Sequence, residues 1–183
     1  MRLFVGIALD AEATAALRRV CERLAPAGGE VRWQSELTWH VTLQFLGEAS
    51  NEQAACVVER LRAIDAERVP VSLSGLGFFE RAGIFFADVP ATAELLALER
   101  KVSAATCMCG FLPDSRAYHP HITLAKAKGR NPRALARLQK EAERGKFALE
   151  AEFVAREFLL YESFPGPDGS RYEVREGFAL SPG

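Results

Sequence analysis

Two stretches of the chain share one pattern: "WHVTLQFLGE" over residues 39–48 and "HPHITLAK" over residues 119–126. Each sets a histidine, an apolar residue, a threonine and a leucine in alternation. Successive side chains of a strand point to opposite faces. Each stretch therefore demands a strand with one apolar face and one face carrying an imidazole and a hydroxyl. The alternation predicts that His40, Thr42 and Gln44 share a face, with Val41, Leu43 and Phe45 opposite. In the second copy His121 and Thr123 share a face, with Ile122 and Leu124 opposite. A single His-x-Thr is a weak motif. Its repetition uses two of the chain's only three histidines, and that favours chemistry over packing.

The elements around these strands read as α+β. Strands are predicted at "RLFVGIAL", "EVRWQ", "HVTLQFLG", "VSLSGLGFFE", "GIFFADV", "HITLAKAK", "FALEAEFVAREFLLYESF" and "RYEVREGFAL". Helices follow Asp10, Asn51 and Thr92 as N-caps, and a fourth follows Asn131 with Pro132 at its first position. Arg81-Ala82-Gly83 and "PGPDG" read as turns. Strand-helix-strand order occurs twice, each time beside a His-x-Thr-Leu. That predicts a two-lobed pseudo-symmetric fold, with antiparallel sheets lining a central groove and helices outside. With 183 residues and no linker, residues 1–183 are expected to form one domain.

Two imidazoles facing each other across a groove suit phosphoryl chemistry. With ordinary pKa values near 6.5, one can be neutral as general base and the other protonated as general acid. Threonine hydroxyls donate to non-bridging phosphate oxygens without adding charge. Imidazolium and hydroxyl donors can stabilise the developing anion, so no metal or other cofactor is expected. Spacing leaves open which histidine is acid and which is base. A competing arrangement makes His40, His119 and His121 a zinc site. Pro120 interrupts that clamp and no adjacent carboxylate supports it, so His119 is read as a supporting residue.

Lys126, Lys128, Arg130 and Arg133 form the densest basic stretch, with Arg116 upstream. They fit a solvated strand end and helix start, or an RNA-backbone patch. Trp33, Trp39 and Phe45 could stack on bases or fill the core, and Tyr118 is equally open. Net charge is -1, so no global field advertises nucleic acid or membrane. No apolar run approaches the roughly 20 residues of a bilayer span. "MRLFVGIALD" reads as a buried strand rather than a leader. Cys21, Cys56, Cys107 and Cys109 are expected as free thiols, which points to a cytoplasmic protein.

These motifs resemble those of the 2H phosphoesterase superfamily, and within it the RNA 2',3'-cyclic phosphodiesterases also called 2'-5' RNA ligases. "MRLFVGIAL" is similar to the family's opening strand, "RWQSELTWHVTLQFLGE" to its first motif, and "LSGLGFF" to its central strand. "HPHITLAK" is similar to its second motif and "LYESFPGPDGSRYEV" to its closing hairpin. Lys126 stands where the family often has arginine, and Phe85 or Phe86 where it usually has tryptophan. The resemblance implies opening of a cyclic phosphate at an RNA terminus, including tRNA fragments, to leave a 2'-phosphate. It implies His40 as proton donor, His121 as proton acceptor, and Thr42 and Thr123 as phosphate-binding residues. It further implies a monomer whose site can run a reversible 2'-5' ligation.

Overall fold

The computed structural model describes residues 1–129, 133, 135–147, 149–167 and 169–183. Asn131, Pro132 and Arg130 therefore lie outside the described residues, and with them the expected cap of the fourth helix. The chain is a mixed α+β fold with antiparallel sheets. Its strands are β1 (Arg2–Ala8), β2 (Val31–Trp33), β3 (His40–Glu48), β4 (Val69–Leu73), β5 (Gly75–Phe79), β6 (Ile84–Asp88), β7 (His121–Ala127), β8 (Ala151–Ala155), β9 (Glu157–Phe164) and β10 (Arg171–Ala179). The helices are α1 (Ala11–Leu24), α2 (Asn51–Arg62), α3 (Ala93–Cys107) and α4 (Ala136–Gly145).

One four-stranded sheet runs β10-β9-β1-β3, and a second runs β2-β7-β6-β5. Each sheet contains one His-x-Thr strand, β3 or β7, and those two strands touch. The apolar faces of both sheets meet the helices in one buried cluster. Val5, Ile7, Val41 and Leu43 enter it from the first sheet, and Phe85, Ala87, Ile122 and Leu124 from the second. Leu17, Val57, Leu61, Leu95 and Leu98 close it from the helices. Each of these side chains larger than alanine contributes about 1.5–3 kcal/mol by leaving water, so the apolar halves of both motifs anchor the polar halves.

Several expectations shift at the boundaries. Asp10 and Thr92 cap α1 and α3 as expected, through Ala13 and Leu95 N–H. Asn51, expected as a cap, is instead the first residue of α2. Ser50 is the cap, and with Gln53 it forms a reciprocal capping box. The stretch expected as one strand over 71–80 divides between β4 and β5, which pair in different sheets. The break is at Ser74 and Gly75, the latter at φ 144, where a side chain would be strained. The stretch 147–164 likewise divides at Arg156 into β8 and β9. β4 and β8 then form a separate two-stranded sheet. Each run reads as one unbroken stretch of strand-forming residues, and the change of sheet is set by pairing with distant strands.

The expectation of four free thiols is wrong for two of them. Cys56 on α2 and Cys109 after α3 form a disulfide, with Cα atoms 5.8 Å apart and a sequence separation of 53. Tertiary packing of α2 against α3 creates this proximity, and linear spacing carries no trace of it. In the chain-entropy description such a loop stabilises by about 4 kcal/mol. Cys21 and Cys107 are free thiols. The cysteine argument for a reducing compartment therefore does not extend to Cys56 and Cys109.

Candidate active site

Both His-x-Thr strands depart from simple alternation at the same position. In β3, Gly6 pairs with Thr42 and Val5 with Gln44, which leaves Leu43 as an extra residue. In β7, Phe86 pairs with Thr123 and Phe85 with Ala125, which leaves Leu124 extra. A bulge of one residue reverses the faces of everything after it. Gln44 therefore turns inward, where it is 6% exposed and accepts a 2.6 Å hydrogen bond from Thr106 of α3. Phe45 turns outward to the histidine face and is 71% exposed. This corrects the expected grouping of Gln44 with His40 and of Phe45 with the core. The equivalent residue of β7 is Lys126, the second after Thr123's bulge. Each motif thus carries a third outward position: an aromatic in one sheet, a cation in the other.

The histidines are held alike. His40 Nδ1 lies 2.7 Å from the Thr38 carbonyl, and His121 Nδ1 lies 2.7 Å from the His119 carbonyl. A carbonyl only accepts, so each Nδ1 carries a proton and each Nε2 is left for chemistry. His40 Nε2 is 2.9 Å from Thr42 Oγ1. Around His40 stand Phe4 at 4.6 Å, Tyr172 at 5.4 Å and Tyr161 at 5.8 Å between ring centroids. Around His121 stand Phe79 at 5.0 Å and Phe86 at 5.3 Å. The aromatic walls restrict ring rotation and remove water from one side of each imidazole.

Two glycines make this closeness possible. A Cβ on Gly6 would lie 2.9 Å from the Val41 carbonyl and 3.3 Å from His40 Cδ2. A Cβ on Gly77 would lie 2.4 Å from Phe86 Cζ. The first lets β1 approach the His40 ring, and the second seats the Phe86 ring beside His121. Neither was singled out in the sequence, where an isolated strand glycine signals close approach in general terms only.

Burial lowers both imidazole pKa values, because a charged ring loses hydration. His40 falls to about 4; the Thr38 carbonyl opposes the shift, and the positive forms of His121 and Lys126 add to it. His121 is also lowered, again mainly by burial. There the His119 carbonyl raises it, the His119 ring lowers it, and Asp88 raises it. Both rings are therefore mostly neutral at pH 7 when no anion is bound, and each is sensitive to a negative charge placed beside it.

The other expected residues resolve as follows. His119 Nε2 is 2.8 Å from Asp88 Oδ1, and Ser74 Oγ donates to Asp88 Oδ2 at 3.1 Å. His119 is thus committed to a carboxylate that the sequence did not place near it. Among the described residues no group of three or more His, Cys, Asp or Glu is arranged to hold a metal. Trp39 is buried in the core, and Trp33 packs edge-on to Phe85. Tyr118 donates a 2.8 Å hydrogen bond to the Thr42 carbonyl, tying the lead-in of the second motif to the strand of the first. Lys128 is exposed, with Nζ 3.5 Å from the Gly29 carbonyl. Arg130 lies outside the described residues; of the expected basic stretch Lys126 is half-buried, and Lys128 and Arg133 are exposed.

The sequence pattern of the 2'-5' RNA ligase superfamily matches residues 33–163, both histidine motifs included. The chain belongs to that superfamily. An RNA 2',3'-cyclic phosphodiesterase of Aeropyrum pernix is 36% identical over 130 residues, 68% of this chain and 74% of that protein. One from Archaeoglobus fulgidus is 27% identical over 176 residues, 94% and 97% of the two chains. One from Geobacillus stearothermophilus is 34% identical over 166 residues, and there the match spans 51% of the relative's length. The fold is that of the superfamily's solved members. The crystal structure of E. coli LigT complexed with 3'-AMP aligns at a TM-score of 0.81 and 23% identity, over 98% of each chain. That of TT0787 from Thermus thermophilus aligns at 0.81 and 26%, also over 98% of each.

Proposed function

We propose that this member of the 2'-5' RNA ligase superfamily hydrolyses 2',3'-cyclic phosphate ends of RNA to 2'-phosphomonoesters, without a metal. The observation that carries the proposal is the matched pair of imidazoles, each with Nδ1–H on the carbonyl two residues back, which leaves Nε2 as the nitrogen that can exchange a proton. His121 Nε2 takes a proton from water as the water oxygen bonds to phosphorus. The bond from phosphorus to the 3'-oxygen breaks. His40 Nε2–H delivers a proton to that oxygen, leaving phosphate on the 2'-oxygen. Thr42 and Thr123 hydroxyls donate to the non-bridging oxygens. A cyclic phosphodiester carries one negative charge, and its arrival beside His40 favours the protonated ring that an acid requires.

The same acid and base serve when a 5'-hydroxyl replaces water, which yields a 2'-5' linkage and makes the reaction a reversible ligation. RNA fragments with cyclic ends, tRNA fragments among them, are the substrates of this reading. The working form is a monomer of one domain acting in the cytoplasm. No described helix is long and apolar enough to cross a membrane. The test is an oligoribonucleotide with a 2',3'-cyclic phosphate end, incubated with chelator-treated protein. Turnover equal to that of untreated protein is expected. Activity that chelation abolishes and added metal restores contradicts the proposal.

A further inference from the structure

Beyond the bulge of β7, Lys126 shares the histidine face with two arginines that the sequence did not single out. Arg32 of β2 is the Cα partner of Lys126 across the strand pair, so the two long cations rise from one face. Like charges directly opposite destabilise an antiparallel pair, and the placement makes sense when an anion lies between them. Arg2 of β1 stands two residues before Phe4, on the face that presses Phe4 against His40. The carboxylate opposite Arg2, that of Glu48, lies 3.8 Å from the N-terminal ammonium. Among the described residues none of the three cations has an ion pair or a side-chain hydrogen bond. Lys126 is half-buried, and burial, then Arg32, then Arg2 lower its ammonium pKa. Lys126 in turn acts on His40, so cations from both sheets share one field with the site.

We infer that Arg2, Arg32 and Lys126 form a second phosphate subsite, which takes the 5'-phosphate of the terminal nucleotide. This assignment of the substrate's next phosphate rests on the cyclic-phosphate reading of the histidine pair. Strands rise about 3.3 Å per residue, so Lys126 stands roughly 7–10 Å along β7 from Thr123. That is one step away from a phosphate held by the short threonine hydroxyls. Guanidinium forks match phosphate oxygens in pairs, which a lone ammonium does not. A cyclic mononucleotide with a free 5'-hydroxyl leaves the subsite empty, whereas any longer RNA fills it.

The test uses two non-reacting probes, adenosine 2'-monophosphate and adenosine 2',5'-bisphosphate, with equilibrium binding measured on wild type and Arg2→Gln/Arg32→Gln. Hydrolysis of a cyclic-phosphate oligonucleotide is followed in parallel. Wild type should prefer the bisphosphate by about tenfold or more, the usual scale of charge-assisted hydrogen bonds. The preference should shrink to under about threefold in the variant and weaken with added salt. Equal affinity of wild type for both probes, or a preference that survives in the variant, overturns the subsite. A preference that behaves as expected in a protein that hydrolyses nothing upholds the subsite and removes the proposed reaction instead.

Discussion

His40→Ala and His121→Ala each lower turnover of a cyclic-phosphate RNA by about 10²–10⁴-fold, the scale of a positioned acid or base. Each ring is oriented by an Nδ1–H bond to the carbonyl two residues back, and in the proposed mechanism Nε2 is the nitrogen that transfers the proton. Truncation therefore removes the group and leaves water to do its work. Combining the two substitutions should add little to the larger single effect, because acid and base act in one step and such effects are far from additive. Circular dichroism and thermal unfolding distinguish lost chemistry from lost fold. Turnover within a few-fold of wild type in either folded variant contradicts the paired mechanism.

The second large effect separates the two roles. A phosphodiester with a nitrophenyl leaving group needs no proton on departure. His40→Ala should retain roughly 10²-fold more activity on it than His121→Ala does, since the acid becomes dispensable and the base does not. Rescue of His121→Ala instead exchanges the roles. The pH profiles carry the same logic. In the free protein His40 is held at about 4, chiefly by burial. A bound phosphate anion stabilises the imidazolium and raises that value. The basic limb of kcat, which reports the complex, should therefore lie at higher pH than the basic limb of kcat/KM, which reports the free enzyme. Both limbs belong to the coupled pair rather than to one ring. Coincident basic limbs contradict the assignment of a phosphate beside His40.

Much of this candidate site was legible in two short stretches, because alternation around His40 and His121 encodes both the anchoring face and the face that carries imidazole and hydroxyl. The legible part ends at the bulges. Leu43 and Leu124 read as ordinary strand residues, yet each is the inserted residue that sends Gln44 inward and brings Phe45 and Lys126 out. Nothing local marks a bulge there, since the pairing that defines it comes from β1 and β6. Asp88 was unmarked for the same reason: it meets His119 and faces His121 only through the β6–β7 register. The Cys56–Cys109 disulfide and the Tyr118 tie to Thr42 are likewise contacts between elements distant in sequence. The change of sheet between β4 and β5 and between β8 and β9 was hidden because each pair follows with one residue between, at Ser74 and at Arg156, and reads as a single strand. The Ser50–Gln53 capping box, by contrast, is a local signal and was readable at its true position.

The measurement that bears most directly on the account is the identity of the product phosphate. An oligoribonucleotide ending in 2',3'-cyclic phosphate is incubated with the purified protein, and the terminal nucleoside monophosphate isomers are separated, with His40→Ala and His121→Ala as controls. Breaking the bond to the 3'-oxygen, with the proton supplied by His40, predicts 2'-phosphate as the product and its near absence in both controls. A 3'-phosphate product, or a 2'-phosphate product that persists in both controls, contradicts the account.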